Sequence, residues 1–134
     1  MELATLVDLL EPMKRLGSRE AVGYNNGYRS LYLSHAELYR RIAGCTRLLA
    51  GAGLVKGDRL LLWGANRPEW VIAFWAAVAL GLEVVPVDAG SSVGFVSSIA
   101  KRTQPKLLVH DKGDQAKRIQ VPELTFARVR EAKP

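Results

Sequence analysis

The sequence predicts an α/β fold of three layers, with a mostly parallel sheet built from strand-helix-strand units and an antiparallel hairpin on its N-terminal side. Three observations carry that expectation. The stretch Gly57 to Asp88 (GDRLLLWGANRPEWVIAFWAAVALGLEVVPVD) reads as strand, turn, helix and strand, and two apolar runs joined by a helical crossover are the unit of a parallel sheet. A second crossover follows, from Val87 through an amphipathic segment to the apolar run Lys106 to His110. Upstream, Ala21 to Tyr24 and Tyr28 to Leu33 are strand-like and flank Asn25-Asn26-Gly27, residues that accept positive φ and so favour a tight hairpin turn.

Taken in order, residues 1–20 hold an N-terminal helix. Leu6, Leu9, Leu10 and Met13 recur at helical intervals, Pro12 shortens or kinks the segment, and Gly17 stops it. Residues 21–33 form the hairpin, with Leu31 and Leu33 alternating against Ser30 and Tyr32. Residues 34–126 are the α/β core. Ser34-His35-Ala36-Glu37 has the spacing of a capping box and precedes a stripe of Leu38, Ile42, Cys45, Leu48 and Leu49, with Arg40, Arg41 and Arg47 elsewhere on the cylinder and Gly51 and Gly53 at its end. For the next helix Asn66 is the expected N-cap, Pro68 falls where a missing N–H costs little, and Glu69 completes a second capping-box spacing. Gly81 supplies the left-handed exit. Val93, Val96, Ile99 and Ala100 form a modest stripe ending near Thr103, where Pro105 blocks continuation. A short helix around Asp114 to Arg118 and a final strand over Glu123 to Phe126 close the core, with crossovers expected to be right-handed. Residues 127–134 read as a charged tail without a core element.

The helix from Arg67 to Leu80 is unusual. Trp70, Val71, Ile72, Phe74, Trp75, Val78 and Leu80, with alanines between, leave almost no polar face, and a helix apolar all round is normally covered on both sides. The sheet covers only one. A membrane span needs about 20 apolar residues, more than this run offers before sheet-like sequence resumes. A buried helix in a self-contained domain is another reading. A third is that further protein packs on this helix, making Trp70 and Phe74 interface residues that leave a self-associating apolar face when uncovered.

At 134 residues, nearly half hydrophobic and about a quarter charged, the chain is one domain's worth of globular protein. Its formal charge is +6, from 19 basic and 13 acidic residues. That excess attracts anions in general, but the basic residues from Lys101 to Lys133 are spread singly without interleaved aromatics, so a solvated face accounts for them and no nucleic-acid partner is expected. Cys45 is the only cysteine, which excludes an intrachain disulfide and multi-thiolate zinc sites. Glu2 and Asp8 stand where a secretory signal places positive charge and then an apolar core. A cytoplasmic location follows as the simplest inference, with peripheral membrane association as its variant.

Ligands of open α/β sheets gather at the carboxyl ends of strands, which here are Gly64 to Asn66, Asp88 to Ser92, and Asp111 to Gly113. None contains a Walker lysine loop or a dinucleotide glycine fingerprint. The second is the best anion candidate, since Gly90 lets backbone approach closely and Ser91 or Ser92 opens a helix, although an ordinary N-cap has the same residues. Asp88 serves a ligand or its own loop. His35 and His110 lack a carboxylate or thiol at a pairing distance in sequence, and Cys45 falls on an apolar stripe, so none of them reads as catalytic. Trp63, Trp70 and Trp75 line a pocket or pack the core.

The order of these signals resembles the start of an adenylate-forming, AMP-binding enzyme of the acyl-CoA synthetase type, in particular the long-chain fatty acid-CoA ligases. The residues that carry the likeness are the hairpin followed by LSHAELYRRIAG, the segment GLVKGDRLLLWGANRPEWVIAFWAAVALGLEVVPVD, and the helix ending in RTQPKLLVHD, together roughly Ala21 to Asp111. The resemblance implies an enzyme that activates a carboxylic, in particular fatty, acid with Mg-ATP to an acyl-adenylate and transfers the acyl group to coenzyme A. The phosphate loop, adenine-binding motif, ribose-binding aspartate and C-terminal lysine of that family have no counterpart here. The expectation is therefore an N-terminal subdomain, 1–134, whose partner is the remainder of the ligase and which by itself binds no cofactor and does not adenylate. The resemblance further implies Asp88 and Gly90 at the rim of the coenzyme A site, with Lys117 and Arg118 as phosphate contacts. Two rival readings are a non-catalytic interaction module docking through Arg67–Leu80, and a basic binder of nucleic acid or anionic membrane.

Overall fold

The computed structural model describes residues 20–25 and 30–133, with side chains from Ser34 to Lys133. The helix expected within residues 1–20 and the Asn26-Gly27 turn lie outside the described residues. In chain order the elements are β1 (Glu20–Asn25), β2 (Ser30–Ser34), α1 (His35–Gly51), β3 (Arg59–Trp63), α2 (Pro68–Ala79), β4 (Glu83–Val87), α3 (Val93–Thr103), β5 (Leu107–His110), a 3-10 helix (Gly113–Ile119), β6 (Glu123–Thr125) and α4 (Phe126–Glu131).

Strands β3 to β6 form a four-stranded, all-parallel sheet in the order β4-β3-β5-β6. Alternate residues of the central strands feed two cores. Leu60, Leu62, Leu107 and Val109 pack with α1, α2 and α4, whereas Leu61, Trp63 and Leu108 pack with Val96 and Ala100 of α3 and with Ala116 and Ile119. Burial on both faces is why β3 and β5 read as continuous apolar runs rather than alternating ones. From β3 the chain crosses to β4 over one face of the sheet, and from β4 it returns past β3 to β5 over the other. Reversing direction and face together keeps one crossover hand, as the sterics of twisted strands require. β1 and β2 pair antiparallel, from Glu20 opposite Ser34 to Asn25 opposite Ser30, with an irregularity between Glu20 and Val22.

Helix ends follow local chemistry. α1 and α2 both stop in a Schellman motif: Leu54 N donates to Leu49 O and Gly53 N to Ala50 O, while Leu82 N donates to Ala77 O and Gly81 N to Val78 O. Gly53 (φ +91°) and Gly81 (φ +73°) supply the left-handed residue each motif needs. At the N-termini two expectations are corrected. Asn66 is not the N-cap of α2; Arg67 is, extended at φ −115° and ψ 167° and without a side-chain cap. Pro68 explains the shift, because its ring disfavours helical geometry in the residue before it. Ser34 does cap α1 by accepting from Glu37 N at 3.1 Å, but the Glu37 carboxylate turns to Arg40 and Arg41 at 2.7 and 3.0 Å.

The charged tail expected from residue 127 is also corrected. Thr125 caps α4 by accepting from Arg128 N, and Phe126 and Val129 on its inner side are buried. The flank of α2 expected to be bare is half-buried instead. Ile72, Ala73, Ala76 and Ala77 are sealed, while Trp70, Val71, Phe74, Trp75 and Val78 along the other side keep partial exposure. Trp70 and Phe74 stack at 5.5 Å, and Trp75 meets Phe74 edge-on at 5.6 Å, so the aromatics cover one another. Among the described residues no helix is long and apolar enough to cross a membrane.

Candidate functional site at the carboxyl edge of the sheet

β3 and β4 end side by side, with Trp63 opposite Val87. The chain leaves β3 toward α2 on one face and leaves β4 toward α3 on the other, so the two loops stand apart at the carboxyl edge. The crevice present here has a volume of about 370 Å³. Gly64, Asn66 and Trp70 form one wall, and Val87, Asp88 and Ala89 form the other.

The loop after β5 ties both walls together. Asp111 Oδ2 accepts from Ala65 N at 3.1 Å, which holds the turn after β3. Gly64 fits because a Cβ there would stand 2.5 Å from Phe126 Cζ and 3.1 Å from Asp111 Oδ1. Lys112 Nζ donates to Ala89 O at 2.6 Å and lies 5.6 Å from the centroid of the Trp63 ring, a cation held over an aromatic face. Lys112 N in turn donates to His110 Nδ1 at 3.0 Å, leaving the ring proton on Nε2, 3.6 Å from Glu123 Oε1. Burial holds His110 below its ordinary pKa, opposed by the Glu123 carboxylate. Buried and with Nδ1 accepting from the Lys112 amide, the ring orients the Lys112 backbone.

The residues singled out from sequence are placed as follows. Asp88 and Gly90 are exposed on the loop after β4, and Asp88 O accepts from Ser91 N at 3.0 Å. Ser92 caps α3 by accepting from Phe95 N at 3.1 Å. Lys117 and Arg118 are exposed on the 3-10 helix, where Lys117 pairs with Asp114 at 3.3 Å. The cation that reaches the Asp88–Gly90 loop is Lys112, which sequence reasoning missed. Its one signal was a place two residues beyond the end of an apolar strand. Trp70 lines the crevice, whereas Trp63 is fully buried beneath it. Cys45 is core, its thiol pushed up to about 12 by burial, so it is inert as a nucleophile.

In chemical terms the edge offers a carboxylate, an aromatic wall and a lysine already engaged with backbone. These are groups that can border a ligand. Among the described residues that line the crevice, no nucleophile and general base face one another.

Residues 11–133 match the family model described as AMP-binding enzyme. The chain is 31% identical over 98 residues to the mitochondrial medium-chain acyl-CoA ligase of Danio rerio, a match covering 72% of this chain and 16% of that protein. It is 35% identical over 77 residues to the L-proline–[L-prolyl-carrier protein] ligase of Pseudomonas fluorescens, covering 58% of this chain and 16% of that one. The N-terminal subdomain of Klebsiella oxytoca NpsA, solved with 3-hydroxybenzoyl-AMSN, shares the fold at a TM-score of 0.82 and 18% identity, over 98% of this chain and 32% of that one. The chain thus spans about a sixth of the length of the two ligases and about a third of that structure. With the family match running from before the first strand to beyond the last helix, the chain belongs to the AMP-binding enzyme family.

Proposed function

We propose that this chain is the N-terminal part of an acyl-CoA ligase that converts a carboxylic, in particular fatty, acid and Mg-ATP to an acyl-adenylate and passes the acyl group to coenzyme A. The observation that carries the reading is the family match over residues 11–133, joined to the likeness to a medium-chain acyl-CoA ligase. In the whole ligase these residues build a wall of the ligand site and the rest of the chain supplies the chemistry. Adenylation needs a triphosphate held by loop amides, metal and basic groups while charge develops, and the crevice at β3 and β4 lacks that set. The 134 residues alone are therefore expected to be inactive.

Asp88 and Gly90 are proposed as the rim of the coenzyme site, with Lys117 and Arg118 as phosphate contacts. Their exposure supports this reading, and so does the open space around Gly90, where a Cβ would meet nothing within 4 Å. Trp70 and Phe74 are proposed as the surface against which the remainder of the ligase packs, since their flank of α2 is the one left half-exposed.

The test is acid-dependent ATP–pyrophosphate exchange over a panel of chain lengths, followed by thioester formation. The purified chain is expected to give none, and the full gene product containing these residues to give both. Exchange by the chain alone would overturn its inactivity. Thioester on a carrier protein with none on coenzyme A would overturn the acceptor, and exchange with amino acids only would overturn the substrate class.

A further inference from the structure

A groove runs between α1 and the segment from Arg128 to Lys133, on the face of the molecule opposite α3. Two cavities of about 440 and 420 Å³ share Glu131, Ala132 and Lys133 as one wall. α1 forms the other, with Arg40 and Arg41 at the first cavity and Gly44, Arg47 and Leu48 at the second. The walls meet at Gly44, where a Cβ would stand 2.7 Å from the Ala132 carbonyl oxygen.

The cations here fall into two groups. Arg40 and Arg41 pair with Glu37, and Arg130 pairs with Glu69 at 3.0 Å. Arg47, Arg128 and Lys133 have no acidic partner among the described residues, and among those residues they line a single cavity with Glu131 as its one carboxylate. Three cations around one acid is an unbalanced site, and focused positive potential in a cleft attracts an anionic partner.

We propose that this groove docks an acidic polypeptide segment. Arginine forks suit carboxylates, which they grip through paired hydrogen bonds. Arg47 stands on α1, and Arg128 and Lys133 stand on the facing wall, so the cations are divided between two walls, an arrangement that several carboxylates along a chain match better than one compact anion. Among the described residues no aromatic side chain lines either cavity, so these walls offer the bases of single-stranded nucleic acid no stacking platform. The concave walls keep a flat bilayer from the floor at Gly44. The proposal is independent of the ligase reading, because it uses neither the crevice at β3 and β4 nor the coenzyme-rim residues.

The experiment titrates the full chain against a fluorescent dodecapeptide rich in Glu and Asp, read by anisotropy near physiological ionic strength, with circular dichroism to verify folding. Reversing these three cations together (R47E, R128E, K133E) is expected to weaken binding by about tenfold or more, as for charge pairs at a docking surface. The same kind of reversal on α3 (K101E, R102E) is expected to change it by about twofold or less, since exposed distant charges are screened. Glu131→Gln is expected to tighten binding, and it decides the matter should the triple variant fail to fold. Equal loss from both sets of reversals, no effect of Glu131→Gln, or no binding of the acidic peptide would each overturn the proposal. So would groove-dependent binding of pyrophosphate, single-stranded DNA or phosphatidylserine vesicles in the absence of peptide binding.

Discussion

Gly64 shows how much a missing Cβ matters at the carboxyl edge. The Phe126 ring that would meet it at 2.5 Å is itself buried, so Gly64→Ala overpacks the junction of β3, β5 and α4 unless that ring shifts. We expect it to cost about 1–3 kcal/mol, measured as a drop in the urea midpoint. Substituting the exposed Gly51, where a Cβ meets nothing within 4 Å, provides the contrast and should leave that midpoint close to its starting value. His110 gives a pH prediction. Burial lowers its pKa in the folded chain below the ordinary value of 6.5, so between the two values the unfolded chain binds more protons and stability rises with pH. Stability is complete above about pH 6.5, the unfolded value, and is lost as the pH falls through the lower folded one. Urea midpoints between pH 8 and 5 should fall on the acid side, and His110→Gln should flatten that slope. Glu37 and Asp58 are held below ordinary carboxylate values by Arg40 and by the Val55 amide respectively, so their contributions vanish at lower pH and do not confuse the window.

At the scale of elements, α4 is the part that composition misrepresents. ARVREAKP reads as a tail because Arg128, Arg130, Glu131 and Lys133 outnumber its apolar residues, and six residues are too few for a helical period to show. The element exists because Thr125 caps it and because Val129, three residues after Phe126, reaches the core shared with α1 and α2. Val129→Ala should therefore cost about 2 kcal/mol, whereas truncation in a solvated tail would cost nothing measurable by denaturant titration. The salt bridge from Arg130 to Glu69, which is 7% exposed, fastens α4 onto α2. The other boundaries were legible because their signals are local. Ser34 and Ser92 cap by their own side chains, Gly53 and Gly81 turn left-handed, and Pro105 follows α3. Asn66 misled because an N-cap preference is weaker than the backbone restriction that the following Pro68 places on Arg67.

Across the whole molecule, the sheet positions a crevice at its carboxyl edge while α2 presents a half-covered aromatic flank on one side. The stacking of Trp70, Phe74 and Trp75 on one another reduces the apolar area left open, so any association of the isolated chain should be weak. We expect a modest, concentration-dependent rise in sedimentation coefficient that Trp70→Ser with Phe74→Ser removes. A profile unchanged with concentration would assign that flank to intramolecular cover alone.

The amino-acid sequence by itself determined the parallel α/β class, the order of the strands along the chain, the burial of Cys45 and where most helices stop. Each of these depends on neighbours within a turn or on a periodic apolar pattern. Only the tertiary structure decided that β3 lies between β4 and β5, that Lys112 and Asp111 clamp the loops of two other strands, and that α1 and α4 face each other across a basic groove. Those contacts join residues distant in sequence. Their partners are chosen by how the layers pack, which no local pattern records.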